Sequence, residues 1–327
     1  MFWSDFHFDG LTLAYLTIGL AMTLLAVWNG RKTLRGHKQR PRFIITVLLF
    51  CAGYGLAILS VGLKTLLLGW EIMGIASFLL IILHRDFKNS GGPTLGAPTF
   101  GGPTLGGPTF GIPAKAFFIY RLGDVGLLLA MWASHHLGRE NAVVVSLLVL
   151  VTASMQSSQL PFSSWLPQAL QNTTTAGAIL LATLTVQMGV FLLLRSYPFW
   201  EHQLSIRVLI GLLGLTAAAM AAGFARVQSS AKRRVAYVSM AHTGLIFIEV
   251  AAGFKSLALI HVAANAFLGA YRLLVPPALV PADVGKSVHL NKRTWEDRLP
   301  KKLKYTIYMF YTKEWGLYAR LSKYLRL

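Results

Sequence analysis

The chain has 327 residues, 54% of them apolar and 13% charged, with a mean hydropathy of +0.55; that is about half the ~25% charged share with which a soluble domain covers its surface. A water-soluble globular protein is excluded, and the single Cys51 excludes both an internal disulfide framework and a cysteine-based metal cluster. Basic residues outnumber acidic ones 31 to 12, for a net charge of +19, so the placement of those charges decides what they mean.

In chain order, the first ten residues, MFWSDFHFDG, hold two aspartates and no basic residue. They match neither the charged start of a secretory signal nor an arginine-rich transit peptide, so the first span is expected to insert directly, or the chain is made where it works. Helical spans of about 20 apolar residues are needed to cross a ~30 Å hydrocarbon core. Nine such runs are expected, at 11–28, 43–63, 65–83, 116–133, 142–155, 176–194, 206–224, 235–253 and 256–275. The reading is an all-α polytopic membrane protein. Residues 1–42 form the first transmembrane helix with a basic loop, and 43–83 the next two helices.

Residues 84–115 form an inside loop dominated by four pentads, GPTLG, APTFG, GPTLG and GPTFG, at 92–111. Proline removes a donor and glycine frees the neighbouring bond, so neither a regular helix nor a central strand is expected there. The remaining helices occupy 116–275. The short run 142–155 is followed by QSSQLPFSSWLPQAL, in which Pro161 and Pro167 forbid one continuous helix. That span is expected to be broken, its second piece either re-entrant and shielded by neighbours or an interfacial loop. Beyond 275 comes a polar tail, with eleven basic and three acidic residues in 286–327 interleaved with tryptophan and tyrosine. Its apolar residues recur at helical spacing from 301, as in an amphipathic helix lying in the headgroup layer, with anionic lipid, cardiolipin included, as a contact.

With the N-terminus outside, the inside loops carry 24 of the 31 basic residues and the outside loops five. The positive-inside rule accounts for that bias, and also for Lys232, Arg233 and Arg234 at the start of the eighth span. A nucleic-acid partner is therefore not expected, even with a pI near 10.3.

Ionisable residues within spans are functional candidates, because a charge at mid-bilayer costs about 3 kcal/mol or more. Glu71 in the third span is a candidate proton carrier, and the small residues Gly69, Gly74 and Ala76 around it admit a neighbouring helix. Arg121 and Asp124 stand three apart on one helix face and are expected to pair. His242, Glu249, His261 and Arg272 lie in the last two spans, with His261 and Arg272 on one face. No nucleotide fingerprint, zinc spacing or serine elbow is present, so no cofactor, no metal site and no redox chemistry are assigned to this chain.

Several of these segments resemble one family. GWEIMGIASFLLI (69–81), YRLGDVGLLLA (120–130), SSQLPFSSWLPQAL (157–170), KRRVAYVSMAHTGL (232–245) and HVAANAFLGAYRLL (261–274) are similar, in order and spacing, to signatures of the antiporter-like membrane subunits of respiratory complex I. The glycine–aspartate pair favours the NADH dehydrogenase subunit 5 branch, and the large subunits of multisubunit sodium/proton antiporters belong to the same group. The resemblance implies an antiporter-like half-repeat architecture whose discontinuous helix is the broken span, with Glu71 and Asp124 as acids of a proton path that Arg121, His261 and Arg272 join. It also implies partners among the membrane-arm subunits of NADH:ubiquinone oxidoreductase and a multi-pass place in the mitochondrial inner membrane, or in a bacterial plasma membrane. The chain departs from the pattern at Gln156, which replaces the family's lysine partner of Glu71, and at Ser163, Leu181, Asn265 and Gly269, which replace histidines and a second lysine. Glu71 is thus expected to lack a cation, with Arg272 a partial substitute. The hydrophobic pattern ends near 275, so the family's later helices are not expected in this stretch, and a separate chain supplying them is one candidate partner left open. Two readings follow: a subunit that still moves protons coupled to electron transfer, or a structural scaffold of the same complex with a non-conducting channel.

Overall fold

The computed structural model describes residues 8–36, 39–89, 108–136 and 142–275, together with Thr306 and Tyr311; within 84–89 and 108–120 it describes the backbone alone. Every described element is helical: α1 (Gly10–Thr33), α2 (Arg40–Leu59), α3 (Leu63–Asn89), α4 (Pro108–His136), α5 (Ala142–Gln156), α6 (Trp165–Gln171), α7 (Thr175–Leu180), a π-helical turn (Leu181–Thr185), α8 (Gln187–Arg195), α9 (Tyr197–Trp200), α10 (Leu204–Val227), α11 (Ala231–Ala252) and α12 (Lys255–Leu274). Seven stretches are long and apolar enough to cross a membrane, at 10–33, 40–59, 63–83, 175–195, 204–227, 231–252 and 255–274. The chain is a multi-pass membrane protein. Of the nine expected spans these seven meet the test; α5, with 15 residues, is shorter, and α4 has described side chains only from Arg121 onward.

Local chemistry sets the helix ends. The Asp9 carboxylate accepts the Thr12 backbone N–H at 2.8 Å, and the Thr174 hydroxyl accepts that of Gly177 at 3.1 Å, each capping a helix start. Gly253 closes α11 at φ +93°, a left-handed conformation in which glycine carries no Cβ penalty. Pro108 opens α4, a first-turn position where a missing N–H costs nothing. The helix therefore begins within the fourth pentad, and residues 108–111 correct the expectation that no repeat residue is helical. The rest of the pentad segment lies outside the described residues, as does the C-terminal tail with its expected interfacial helix, apart from Thr306 and Tyr311.

The stretch 175–195 forms the axis of the bundle: its apolar window is 100% buried, against 33% for 10–33 and 255–274. Helices α1, α3, α5, α6, α11 and α12 pack around it. Small residues set the closest crossings. A Cβ on Gly244 would stand 2.6 Å from the Gly214 carbonyl oxygen, so α10 and α11 meet backbone to backbone. Gly53 and Gly69 play the same part between α2 and α3, where a Cβ on Gly53 would lie 2.8 Å from the Gly69 carbonyl oxygen.

The broken span takes the shielded form. After α5 the chain runs through Ser157, Ser158 and Gln159, each 0% exposed, into α6, whose Leu166, Ala169 and Leu170 are also 0% exposed. The chain before Pro161 and the helix containing Pro167 are thus enclosed by protein, as a bilayer requires, while the turn at 160–162 reaches the surface, with Pro161 exposed. Polar ties group the helix ends as the charge-derived sides demand. At the outer end, Arg195 pairs with Asp9 at 2.7 Å and donates to the Ser60 carbonyl, while Arg207 donates to the carbonyls of Ala251 and Ala252. At the inner end, Lys232 Nζ donates to the Thr173 carbonyl and Arg233 Nε to Gln171 Oε1, each at 2.5 Å. Lys232 therefore does more than anchor at the membrane surface: it holds the gap between α6 and α7.

Candidate functional site

Three polar assemblies interrupt the apolar bundle. The first joins α3 to α4. Trp70 is fully buried, and the next residue, Glu71, forms an ion pair with Arg121 Nη1. The same nitrogen lies 3.1 Å from Asp124 Oδ2, one turn along α4. The expected Arg121–Asp124 pair is present. The expectation that Glu71 lacks a cation is corrected, because Arg121 takes the place that Gln156 leaves open. Exposure grades across the cluster, with side-chain values of 33% for Glu71, 26% for Arg121 and 5% for Asp124. Asp124 is the enclosed end and Glu71 the accessible one.

The second assembly follows the bundle axis and holds no charged side chain among the described residues. A π-helical turn leaves carbonyls out of the regular ladder, and the flanking carbonyls of Thr185, Val186 and Gln187 accept from Gln156 Nε2 (3.2 Å), Ser157 Oγ (2.8 Å) and Tyr15 Oη (3.3 Å). Ser239 Oγ donates to the Ala182 carbonyl, and Asn265 Nδ2 lies 3.3 Å from both Ser239 O and Ser239 Oγ. Leu181 and Gly269 stand on the same axis, the former fully buried and the latter against Thr183. Ser163 is buried, its carbonyl accepting from Ser158 Oγ at 3.2 Å. Gln156 and Asn265 thus hold neutral hydrogen bonds on or beside the axis, while Leu181 and Gly269 contribute packing alone.

The third assembly links α11 to α12. His242 Nδ1 lies 3.0 Å from His261 Nε2, and His261 Nδ1 lies 2.7 Å from Glu249 Oε1. Arg272 does not join it: this residue is exposed and makes no hydrogen bond or ion pair with another described residue. The structure therefore brings together Glu71, Arg121 and Asp124 in one place and His261 in another, with Arg272 making no bond to either but close enough for its charge to act on His242. Sequence reasoning singled out His242 and Glu249 without grouping them. Their spacing of seven residues, two turns on one face of α11, was the available signal, but the histidine joining them comes from the next helix.

Comparison with known proteins agrees with this architecture. The transmembrane family described as NADH:quinone oxidoreductase/Mrp antiporter matches residues 113–275. NADH-ubiquinone oxidoreductase chain 5 of Locusta migratoria is 24% identical over 290 residues, covering 84% of this chain and 47% of that one. NADH-quinone oxidoreductase subunit L of Pseudomonas aeruginosa is 27% identical over 299 residues, covering 84% of this chain and 45% of its own length. The chain thus spans about half the length of these relatives. The solved structure of the Mrp complex from a Dietzia species superposes with a TM-score of 0.69 at 22% identity, over 81% of this chain and 29% of that one. With the broken helix, the buried axis and the carboxylate–arginine cluster in place, the chain belongs to the antiporter-like transmembrane family shared by NADH:quinone oxidoreductases and Mrp antiporters.

Proposed function

We propose that this chain is an antiporter-like membrane-arm subunit of a respiratory NADH:quinone oxidoreductase and contributes to proton translocation coupled to electron transfer in other subunits. The carrying observation is the placement of one guanidinium between two carboxylates, Glu71 and Asp124. Two carboxylates sharing one fixed cation can bind and release a single proton while the net charge moves only between −1 and 0. An arginine does not itself give up the proton, so it serves as the counter-charge that makes the carboxylates tolerable in the bilayer. Membrane-arm subunits are the partners in this reading, with anionic lipid at the basic tail. The compartment is the mitochondrial inner membrane, or a bacterial plasma membrane.

The neutral axis favours a second reading, a scaffold of the same complex whose channel does not conduct. Amides at Gln156 and Asn265 hold backbone carbonyls and carry no exchangeable charge. Glu71→Gln separates the two readings in assembled complex within sealed vesicles. The proton-moving reading predicts fewer protons moved per NADH oxidised, at unchanged assembly on native gels. An unchanged ratio leaves the scaffold.

A further inference from the structure

We propose that protons cross the outer half of this subunit along the line His242–His261–Glu249, entering from a cavity at the inner end of α10 and α11 and bypassing the neutral axis. This rests on the proton-moving reading above and supplies the route that reading lacks. The residues form a line rather than a convergent cluster, because His261 spends one ring nitrogen on each neighbour. His242 stands at one end and lines a cavity of about 270 Å³ together with Arg226, Arg234, Val238 and Leu245. Arg226 closes α10 and Arg234 lies in the first turn of α11, so the cavity begins at the end assigned to the inside. Glu249 stands at the other end, three residues before α11 stops at Ala252. Its Oε1 accepts from His261, and its Oε2 is enclosed without a hydrogen-bond partner among the described residues.

The proton count closes. In the resting line His242 Nδ1–H donates to His261 Nε2, and His261 Nδ1–H donates to the Glu249 carboxylate. A proton taken from the cavity at His242 Nε2 forms one new N–H bond. The His242 Nδ1 proton moves to His261 Nε2, and the His261 Nδ1 proton moves to Glu249 Oε1. Both histidines end neutral with their tautomers exchanged, Glu249 ends as the acid, and one proton has crossed. Release from Glu249 to the outer side leaves both histidines as Nε2–H tautomers, and each returns to the start by losing its Nε2 proton to water and taking one from water at Nδ1. Each transfer spans a hydrogen bond of 2.7–3.0 Å, within the reach proton transfer requires. Among the described residues, the charged groups beside the line are Arg226 and Arg234 at the cavity and Arg272 on α12, and none of the three can serve as a carrier in place of the histidines.

The test uses assembled complex in sealed vesicles, reading protons moved per NADH oxidised. A line in series predicts that His242→Gln and Glu249→Gln each lower the ratio by the same increment, and that the double variant is no worse than either single one. His242→Ala opens space beside the cavity, so added imidazole is expected to restore the lost increment. An unchanged ratio in both line variants with a lowered one in Glu71→Gln overturns the line and leaves the proton-moving reading standing. An unchanged ratio in all three overturns that reading itself. Failure of imidazole to restore an assembled His242→Ala complex also overturns the line. So does loss of assembly in Glu249→Gln, which keeps an acceptor for His261 Nδ1–H, since the pair would then be scaffolding.

Discussion

Arg121 reaches from α4 to Glu71 on α3 while holding Asp124 one turn along its own helix. With Gln156 where the resemblance expects a lysine, the chain therefore still balances its intramembrane glutamate, by drawing on a cation that the sequence places beside a different acid. This shifts the polar centre away from the bundle axis and toward the seam between α3 and α4.

Replacing Arg121 by Gln leaves both carboxylates uncompensated. Breaking a buried pair by removing one partner costs about 3–5 kcal/mol, and the low end applies because Glu71 is a third exposed. Thermal unfolding of the purified complex is expected to show the loss. Adding Asp124→Asn to Arg121→Gln is expected to recover most of it, since Asp124 is the enclosed member of the cluster.

The neutral hydrogen bonds on the axis make a different demand. Gln156→Leu leaves the Thr185 carbonyl without its amide partner, at a cost of about 1–3 kcal/mol for an unsatisfied buried group. Stability is expected to fall by that amount, while protons moved per NADH stay unchanged. A fall in the proton ratio would return the axis to the proton path.

Gly244→Leu is expected to prevent assembly, because its Cβ would enter contact with the Gly214 carbonyl and the Ala218 backbone. Gly211→Ala, on the same helix pair, is expected to assemble normally, since its Cβ meets only the Ala251 side chain at 3.8 Å. Native-gel yields of the two variants compare a backbone crossing with an ordinary contact.

At the outer end, Arg195→Ala removes both the Asp9 ion pair and the donor to the Ser60 carbonyl. The expected cost is about 1–2 kcal/mol, between that of a surface pair and a buried hydrogen bond to a charged group. Limited proteolysis is expected to cut near the start of α1 sooner than in the parent chain.

The sequence by itself determined that this is a helical membrane protein, where seven of its nine expected spans lie, and where one span breaks, because hydropathy, proline and glycine act locally along the chain. It also determined the Arg121–Asp124 pairing, since residues three apart on a helix share a face whatever surrounds them. Only the tertiary structure decided that Glu71 shares that arginine, that Gln156 and Ser157 meet carbonyls beside a π-helical turn, and that His261 joins two residues of the preceding helix. Each of these contacts crosses between helices, so it depends on the rotation and depth at which they pack. Those are fixed by backbone approaches such as Gly53 on Gly69 and Gly214 on Gly244, and no periodicity read along a single helix carries them.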